Sequence, residues 1–174
     1  MSNSSPIKPE NGKLLVLTPG MGAVGTTFIA GVESIRKGLT KPFGSITQMQ
    51  TIRLGARSGN NNPLIKDFLP LADLNDIVFG GWDVFPDSAY EAAARAEVLK
   101  KENLEPIKDF LHTIKPMTAA FDQNYVKRLS GPNVKALTNK RELAEALRED
   151  IRNKIKETGA SRAVMVWCGS TEIY

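Results

Sequence analysis

The feature that most constrains this chain is an apolar run, residues 13–17, that leads into the glycine-rich stretch GMGAVG at residues 20–25. The spacing Gly-x-Gly-x-x-Gly after a strand is typical of a dinucleotide site: Gly20 permits a sharp turn, Gly22 lets a pyrophosphate approach, and Gly25 allows close packing of helix on strand. Apolar residues recur after it at helical spacing: Phe28, Val32, Ile35 and Leu39. The stretch therefore predicts a nucleotide site, with a purely structural turn as the alternative.

The composition excludes several other classes of function. With 174 residues, 41% of them hydrophobic, the chain has enough material for one globular domain. Its 23 basic residues are spread among 19 acidic ones and form no long basic run, so no nucleic-acid partner is expected. No apolar run approaches the ~20 residues that span a bilayer, so no membrane partner is expected either. The single cysteine and the lack of a secretory leader predict a cytoplasmic protein without internal disulfides.

The order of predicted elements indicates the fold class. Residues 1–12 are rich in Ser, Asn, Pro and Gly and predict a flexible N-terminal arm. Residues 13–174 then alternate strands with helices, which predicts a doubly wound α/β domain of the Rossmann type, with a mainly parallel sheet and helices on both faces. We expect these residues to form one dinucleotide-binding domain.

Three further strands are predicted from apolar and β-branched content. They cover Ser45–Ile52, Asp76–Val84 and Arg162–Cys168, and the unbroken apolar run of the last predicts a strand buried at the centre of the sheet. The irregular segment Gly55–Asn75 lies between the first two. A loop of about twenty residues is unusual inside a compact domain. It predicts either a flap over a ligand or a surface insertion without a role.

Capping patterns predict where helices begin. Ser88 with Glu91, and Asn139 with Glu142, have the spacing of a capping box, in which side chains and backbone of the first turn satisfy each other. Both of these helices carry apolar residues at helical spacing, so each is expected to pack one face against the sheet. A short helix is also predicted over residues 124–129.

The choice between NAD and NADP is left open by the generic rule for such sites. That rule places an acidic residue at the end of the second strand, where it binds the ribose hydroxyls. The predicted second strand is instead followed by the stretch 52–57, where Arg53 or Arg57 favours the extra phosphate of NADP. Asp83, which follows a Gly-Gly-Trp sequence at the end of the next strand, is the alternative ribose ligand, unless it caps the helix after Pro86.

Five motifs along the chain are more specific than the glycine spacing alone. In order they are GMGAVG at 20–25, GSITQ at 44–48, GWD at 81–83, EVL at 97–99 and VWCGSTEIY at 166–174. Together they resemble the N-terminal half of the inositol-3-phosphate synthase family. The resemblance implies an isomerase of inositol and phospholipid biosynthesis. Such an enzyme converts glucose 6-phosphate to inositol 3-phosphate with tightly held NAD, through oxidation, enolisation, aldol cyclisation and reduction.

The resemblance also assigns residues to the cofactor. It implies that the pyrophosphate is bound by Gly20, Met21, Gly22, Ala23, Val24 and Gly25, the adenosine ribose by Asp83, and the nicotinamide end by Cys168, Gly169, Ser170 and Thr171. It assigns no catalytic residue and no metal to this chain, because the catalytic lysines of the family come from a later catalytic and oligomerisation domain. The chain alone is accordingly expected to be inactive and to expose apolar surface near its last strand, and the full-length protein is expected to be a homotetramer.

Two other functions are compatible with the sequence. One is a stand-alone NAD(P)-binding module that performs no catalysis, and the other is a fragment of an NADP-dependent oxidoreductase. The oxidoreductase hypothesis predicts that NADP outcompetes NAD. His112 lies among apolar residues of a predicted helix and is expected to be an ordinary edge histidine rather than a catalytic acid or base.

Overall fold

The sheet at the centre of the fold has four parallel strands. The computed structural model describes residues 11–136 and 139–169. The strands are β1 (Lys13–Pro19), β2 (Ile77–Asp83), β3 (Met117–Thr118) and β4 (Ala160–Met165). Their spatial order is β3-β2-β1-β4, with every pairing parallel. The chain thus moves outward from β1 to β3 and then crosses to the other side of β1, which confirms the predicted doubly wound α/β fold.

The described part of the chain contains seven α-helices. They are α1 (Ala23–Arg36), α2 (Ile46–Met49), α3 (Ile65–Phe68), α4 (Ala89–Ala96), α5 (Lys101–Leu104), α6 (Lys108–Thr113) and α7 (Lys140–Thr158). Single turns of 3₁₀ helix lie at Arg57–Gly59, Leu74–Asp76 and Glu105–Ile107. None of the described helices is both long enough and apolar enough to cross a bilayer. Most of the predicted N-terminal arm, residues 1–10, lies outside the described residues.

Strand β1 is buried on both faces because helices cover both sides of it. Val16 belongs to a cluster with residues of α1, α4 and α6, whereas Leu15 and Leu17 belong to a second cluster that includes residues of α7. All three side chains are at most 4% exposed. Neighbouring residues of a strand face opposite sides of the sheet. A strand covered on both sides is therefore apolar at consecutive positions, as β1 is from Leu14 to Leu17.

Both predicted helix starts are confirmed, but of the two predicted capping boxes the one found is that of α4, and α7 begins with a simple Asn139 cap. Ser88 and Glu91 form a complete capping box at the start of α4, where the Ser88 backbone N–H donates to the Glu91 carboxylate at 2.8 Å. At the start of α7 the backbone N–H of Arg141 donates to the Asn139 side chain at 2.9 Å. Gly159 ends α7 with a φ of 65°, a left-handed conformation that glycine adopts without strain.

The predicted second strand is wrong. Residues 45–52 contain the single helical turn of α2, and Thr51 makes an isolated bridge to Leu64. This bridge belongs to a hairpin-like arm, residues 50–65, that is closed by further backbone hydrogen bonds. We call residues 50–65 the arm, which is distinct from the predicted N-terminal arm at residues 1–12. The β-branched residues indicated a strand because they suit extended backbone, but here that backbone pairs within the arm and not with the sheet.

The helix predicted over residues 124–129 is not formed either. The Asp122 carboxylate accepts from the backbone N–H of Asn124 at 2.9 Å, and the Asp122 carbonyl accepts from the N–H of Val126 at 2.9 Å. These bonds close one turn, after which the chain leaves helical geometry. Aspartate favours such turns because its side chain bonds to nearby N–H groups and competes with a continuing helix.

The last strand was predicted to be buried at the centre of the sheet, and this is wrong. Strand β4 lies at the edge of the described sheet and pairs with β1 alone. Val164, Met165 and Trp167 are 43%, 50% and 67% exposed. An apolar run indicates a strand covered on both faces, but it does not reveal whether a neighbour lies beside that strand. The apolar surface near the last strand is exposed, as expected from the sequence.

The helices that flank the arm lie toward the end of the sheet where β1 begins. Gln48 of α2 and Lys66 of α3 line a cavity together with Gly12 and Arg36. Gly12 precedes β1 and Arg36 ends α1, so this cavity lies at the opposite end of the strands from the glycine-rich stretch. The placement gives no support to a flap over the nucleotide site and leaves the surface insertion as the simpler interpretation.

Candidate dinucleotide site

The glycine-rich stretch forms a tight turn between β1 and α1. Gly20 has a φ of 87°, in the left-handed region where a side chain is strained. A Cβ on Gly20 would also lie 2.8 Å from the Cα of Gly169, and a Cβ on Gly25 would lie 2.9 Å from the Gly20 carbonyl oxygen. The first and third glycines are therefore required by the turn and by the close approach of helix to strand, as the spacing predicts.

The start of α1 has no capping side chain, unlike the starts of α4 and α7. Its N-cap is Gly22, and no acidic residue lies in its first turn. Across the described residues, no acceptor faces the backbone N–H groups of residues 22–25, and Thr26 is the first to bond within the helix, to the Gly22 carbonyl at 3.0 Å. Four unpaired N–H groups at the positive end of a helix form an anion site. A Cβ on Gly22 would meet no atom within 4 Å, so there is open space for a phosphate.

The first two N–H groups of the stretch donate hydrogen bonds to residues of β2. The Gly20 N–H donates to the Trp82 carbonyl at 2.8 Å, and the Met21 N–H donates to Asp83 Oδ2 at 2.7 Å. The Met21 side chain is 1% exposed and packs in the core. Gly20 and Met21 therefore brace the turn, and the N–H groups open to a pyrophosphate are those of residues 22–25.

Asp83 ends β2, the strand directly beside β1. Its Oδ2 accepts from Met21, and its Oδ1 accepts from the backbone N–H of Phe85 at 3.0 Å. An ionised carboxylate offers about four lone-pair sites, so ribose hydroxyls can still bond to both oxygens. The alternative role for Asp83, as the cap of α4, is excluded because Ser88 occupies that position.

The position of Asp83 bears on the choice that the sequence left between NAD and NADP. Because residues 45–52 are not a strand of the sheet, β2 is the second strand, and Asp83 stands where the generic rule places the ribose-binding acid. Arg53 and Arg57 lie in the arm and are exposed, rather than at the end of a strand of the sheet. The rule therefore favours NAD, since a carboxylate repels the extra phosphate of NADP.

Cys168 and Gly169 follow β4 and lie beside the glycine turn. The Cys168 N–H donates to the Pro19 carbonyl at 2.9 Å, and Gly169 is the residue that a Cβ on Gly20 would strike. Burial raises the pKa of the Cys168 thiol, so the thiol stays protonated near neutral pH. The other two predicted nicotinamide-end residues lie outside the described residues: Ser170 and Thr171. Ligands of open α/β sheets bind at this switch between β1 and the strand on its other side.

Two groups of polar contacts at the end of β2 could not be predicted from the sequence. The Trp82 indole N–H donates to Asp150 of α7 at 2.8 Å, and Lys135 pairs with the same carboxylate at 2.8 Å. The Asn133 side-chain amide donates to one backbone carbonyl each of β2 and β3. Their partners are distant in sequence, so no local pattern points to them.

The residues of this site fit a dinucleotide. The open N–H groups of residues 22–25 suit a pyrophosphate, which needs donors and positive potential rather than side chains. The carboxylate of Asp83 suits a ribose diol, and its neighbours Met21 and Phe85 fix it next to the turn. The turn and the carboxylate lie at the same end of the sheet.

Comparisons with known proteins identify the family. Residues 14–174 match the NAD-binding family model described as myo-inositol-1-phosphate synthase. An inositol-3-phosphate synthase of Bacteroides thetaiotaomicron is 54% identical over 169 residues, which cover 97% of this chain and 39% of that protein. An inositol-3-phosphate synthase of Oryza sativa subsp. japonica is 31% identical over 176 residues, covering 93% of this chain and 35% of that protein.

A solved structure agrees with the sequence matches. The crystal structure of inositol-3-phosphate synthase from Caenorhabditis elegans superposes with a TM-score of 0.79 and 29% identity, over 93% of this chain and 35% of that chain. The chain thus spans little more than a third of the length of these relatives. The resemblance carried by the motifs is confirmed, and NAD is the cofactor that the matched family indicates. The chain belongs to the NAD-binding family of myo-inositol-1-phosphate synthase.

Proposed function

We propose that this chain binds NAD for an inositol-3-phosphate synthase, with residues 13–174 as the dinucleotide-binding domain. The observation that carries the proposal is a row of N–H groups at residues 22–25 that have no hydrogen-bond acceptor among the residues that the structure describes, next to the carboxylate of Asp83. Both features stand at the end of the sheet where parallel strands place their ligands. The matched family and the names of the relatives supply the class of enzyme.

The pyrophosphate is the part of NAD that the glycine turn binds. The N–H groups of residues 22–25 donate to its oxygens, and the dipole of α1 stabilises its charge. Gly20 and Met21 serve this site by holding the turn in place, because β2 already accepts from their N–H groups. A hydrogen bond to a charged group contributes about 1.5–3 kcal/mol, so the loss of one or two donors lowers the affinity measurably.

The adenosine and nicotinamide ends of NAD are assigned to different strands. Asp83, at the end of β2, accepts from the hydroxyls of the adenosine ribose. Cys168, Gly169, Ser170 and Thr171 follow β4 and are assigned to the nicotinamide end, where the protonated Cys168 thiol supplies an apolar contact rather than a nucleophile. NAD, when bound there, supplies a reversible hydride acceptor for the substrate. The residues of this chain bind and orient it.

The reaction that we propose for the whole enzyme is the conversion of glucose 6-phosphate to inositol 3-phosphate. The family resemblance places the catalytic lysines in another domain, so the residues described above serve the cofactor and not the sugar. On the same resemblance we infer a homotetramer, and the single cysteine supports a cytoplasmic location. The mixed surface charge, with 23 basic and 19 acidic residues, gives no reason to add a nucleic-acid partner.

Calorimetric titration of the chain with NAD and with NADP tests this function. We expect NAD to bind at least about tenfold more tightly than NADP, a difference of about 1.4 kcal/mol, because Asp83 accepts from the ribose diol and repels a 2′-phosphate. Asp83→Ala is expected to weaken NAD binding and to reduce the difference between the affinities for NAD and NADP. Asp109→Ala is the control, since Asp109 is an exposed acid on α6, and it should leave both affinities unchanged.

The same titration tests the oxidoreductase hypothesis and the interpretation of the glycine stretch as a structural turn. Tighter binding of NADP than of NAD would favour the oxidoreductase hypothesis and contradict the assignment of Asp83. Failure to bind either cofactor would make the glycine stretch a structural turn. Equal losses of NAD affinity in Asp83→Ala and Asp109→Ala would show that the effect is one of net charge and not of a ribose contact.

A further inference from the structure

One side chain joins the backbone carbonyls of β2 and β3. Strand β3 has two residues, and its ladder with β2 ends at the pair Asp83–Thr118. Asn133 Nδ2 donates to the Asp83 carbonyl at 2.8 Å and to the Met117 carbonyl at 3.2 Å. A side-chain amide carries two N–H donors, and this bridge uses both of them.

The backbone around Asn133 holds the residues that follow β2. The Asn133 N–H donates to the Val84 carbonyl at 2.9 Å, and the Asn133 carbonyl accepts from the N–H of Ala119 at 2.9 Å. Val84 and Ala119 are both buried, so water has little access to these bonds. Gly131 contributes by having no side chain, since a Cβ there would collide with the Val84 carbonyl oxygen. The segment 131–133 therefore fits closely against the chain just beyond Asp83.

This anchoring bears directly on the Asp83 carboxylate. The carboxylate is fixed at two points, with Oδ2 on the Met21 N–H in the glycine turn and Oδ1 on the Phe85 N–H two residues further on. The backbone between Asp83 and Phe85 is the part that Asn133 holds, through the carbonyls of Asp83 and Val84. If the Asn133 amide is lost, the Asp83 carbonyl loses this donor while the Val84 carbonyl keeps its bond to the Asn133 N–H. The end of β2 is then held less firmly, and a shift of its backbone moves the carboxylate.

We propose that Asn133 is a positioning residue for the cofactor. It holds the end of β2 so that the Asp83 carboxylate faces the adenosine ribose, and it thereby sets the preference of the site for an intact ribose diol. The inference rests on the proposed function, because it requires that Asp83 bind the ribose. Asn133 acts through Asp83 and makes no contact with NAD in this scheme.

The test compares NAD with 2′-deoxy-NAD, the analogue that lacks the adenosine 2′-hydroxyl, by calorimetric titration. We expect the wild-type chain to bind NAD about tenfold more tightly than the analogue, because the analogue lacks the 2′-hydroxyl that donates to the charged Asp83 carboxylate. We call the affinity for NAD divided by the affinity for the analogue the ratio. Asn133→Ala and Asn133→Asp both remove the two N–H donors and should bring the ratio close to one. Asn133→Gln keeps the donors on a longer side chain and should retain part of the ratio. Thermal unfolding of each variant shows that it is folded at the titration temperature.

Two further variants separate the inference from the function on which it rests. Asn124→Ala removes an exposed amide from the same connecting segment and should leave the ratio unchanged. Asp83→Ala should bring the ratio to one. If it does so while Asn133→Ala and Asn133→Asp keep the wild-type ratio, or weaken the binding of both ligands equally, the positioning role is overturned and the ribose contact stands. If the wild-type chain binds NAD and the analogue equally, the Asp83 contact fails and the positioning role falls with it.

Discussion

Gly22 is a residue at which cofactor affinity can be separated from stability. A Cβ there would meet no atom within 4 Å, and its φ of −79° lies outside the left-handed region. We expect Gly22→Ala to change the free energy of unfolding by less than about 1 kcal/mol. It should weaken NAD binding about tenfold or more, since the methyl group occupies space that the pyrophosphate needs. Urea denaturation and calorimetric titration measure the two effects.

Gly31→Ala is the matched control on the same helix. Gly31 lies within α1, away from its N-terminus, and a Cβ there would also meet nothing within 4 Å. Alanine is the better residue in a helix interior by about 0.5–1 kcal/mol, so this variant should be slightly more stable and should bind NAD as the wild type does. Equal NAD affinities in the Gly22 and Gly31 variants would contradict the placement of the pyrophosphate at Gly22.

Single residues of the site differ in how far the sequence reveals them. The structural roles of Gly20 and Gly25 follow from their spacing, because the steric need for glycine in this turn is local. The bond from the Met21 N–H to Asp83 could not be foreseen, since its two partners are 62 residues apart and meet only through strand pairing. The role of Asn133 could not be foreseen either, because the residues to which its side chain donates are distant in sequence.

At the scale of elements, the capping box holds the start of α4. Ser88 is 1% exposed, and its hydroxyl contacts the Glu91 carboxylate at 2.8 Å and His112 Nδ1 at 3.2 Å. Ser88→Ala removes the cap and is expected to cost about 1–2 kcal/mol of folding free energy, which lowers Tm by about 2–8 °C in a chain of this length. Circular dichroism during heating measures the change. Ser58→Ala, in an exposed turn, should leave Tm as it is, and equal Tm values in the two variants would refute the role of the cap.

The same capping box makes stability depend on pH. The backbone N–H and the hydroxyl of Ser88 donate to Glu91 and lower the pKa of its carboxyl. A lowered folded pKa contributes stability above the unfolded pKa of about 4.3, and this contribution is lost as the pH falls from there through the folded pKa. Glu91→Gln should therefore flatten the decline of stability below about pH 4.3, as measured by urea midpoints at stepped pH. A decline identical to that of the wild type would show that Glu91 does not contribute.

Elements marked by a local pattern, such as a capping residue or an apolar run, are predictable from this sequence. The place of a strand in the sheet is not, because it depends on pairing with distant residues. The start of α7 follows from Asn139, and β2 follows from its apolar pattern. The second strand was misplaced because residues 37–76 separate α1 from β2, whereas the generic rule expects the ribose-binding acid about twenty residues after the glycines. Only the pairing of β1 with β2 shows that Asp83 occupies that place.

At the scale of the whole molecule, we expect β4, an edge strand of the described sheet, to promote self-association of this chain. An edge strand with exposed apolar residues such as Val164 and Trp167 can pair with a second chain. We expect concentration-dependent association in sedimentation velocity, and Val164→Lys should reduce it because a charge on an edge strand opposes pairing. Val98→Lys changes a residue that is 58% exposed just after α4 and serves as the control. Equal effects of the two substitutions would exclude β4 as the associating edge.

The most direct measurement on the molecule as a whole is a titration of the ¹⁵N-labelled chain with NAD, followed by the amide chemical shifts. We predict the largest shifts at residues 22–25, because their N–H groups gain phosphate acceptors. Smaller shifts are predicted at Gly20 and Met21, because their N–H groups keep their acceptors on β2. Unchanged amides at residues 22–25 under saturating NAD, with shifts confined to another surface, would contradict the binding of the pyrophosphate at the start of α1.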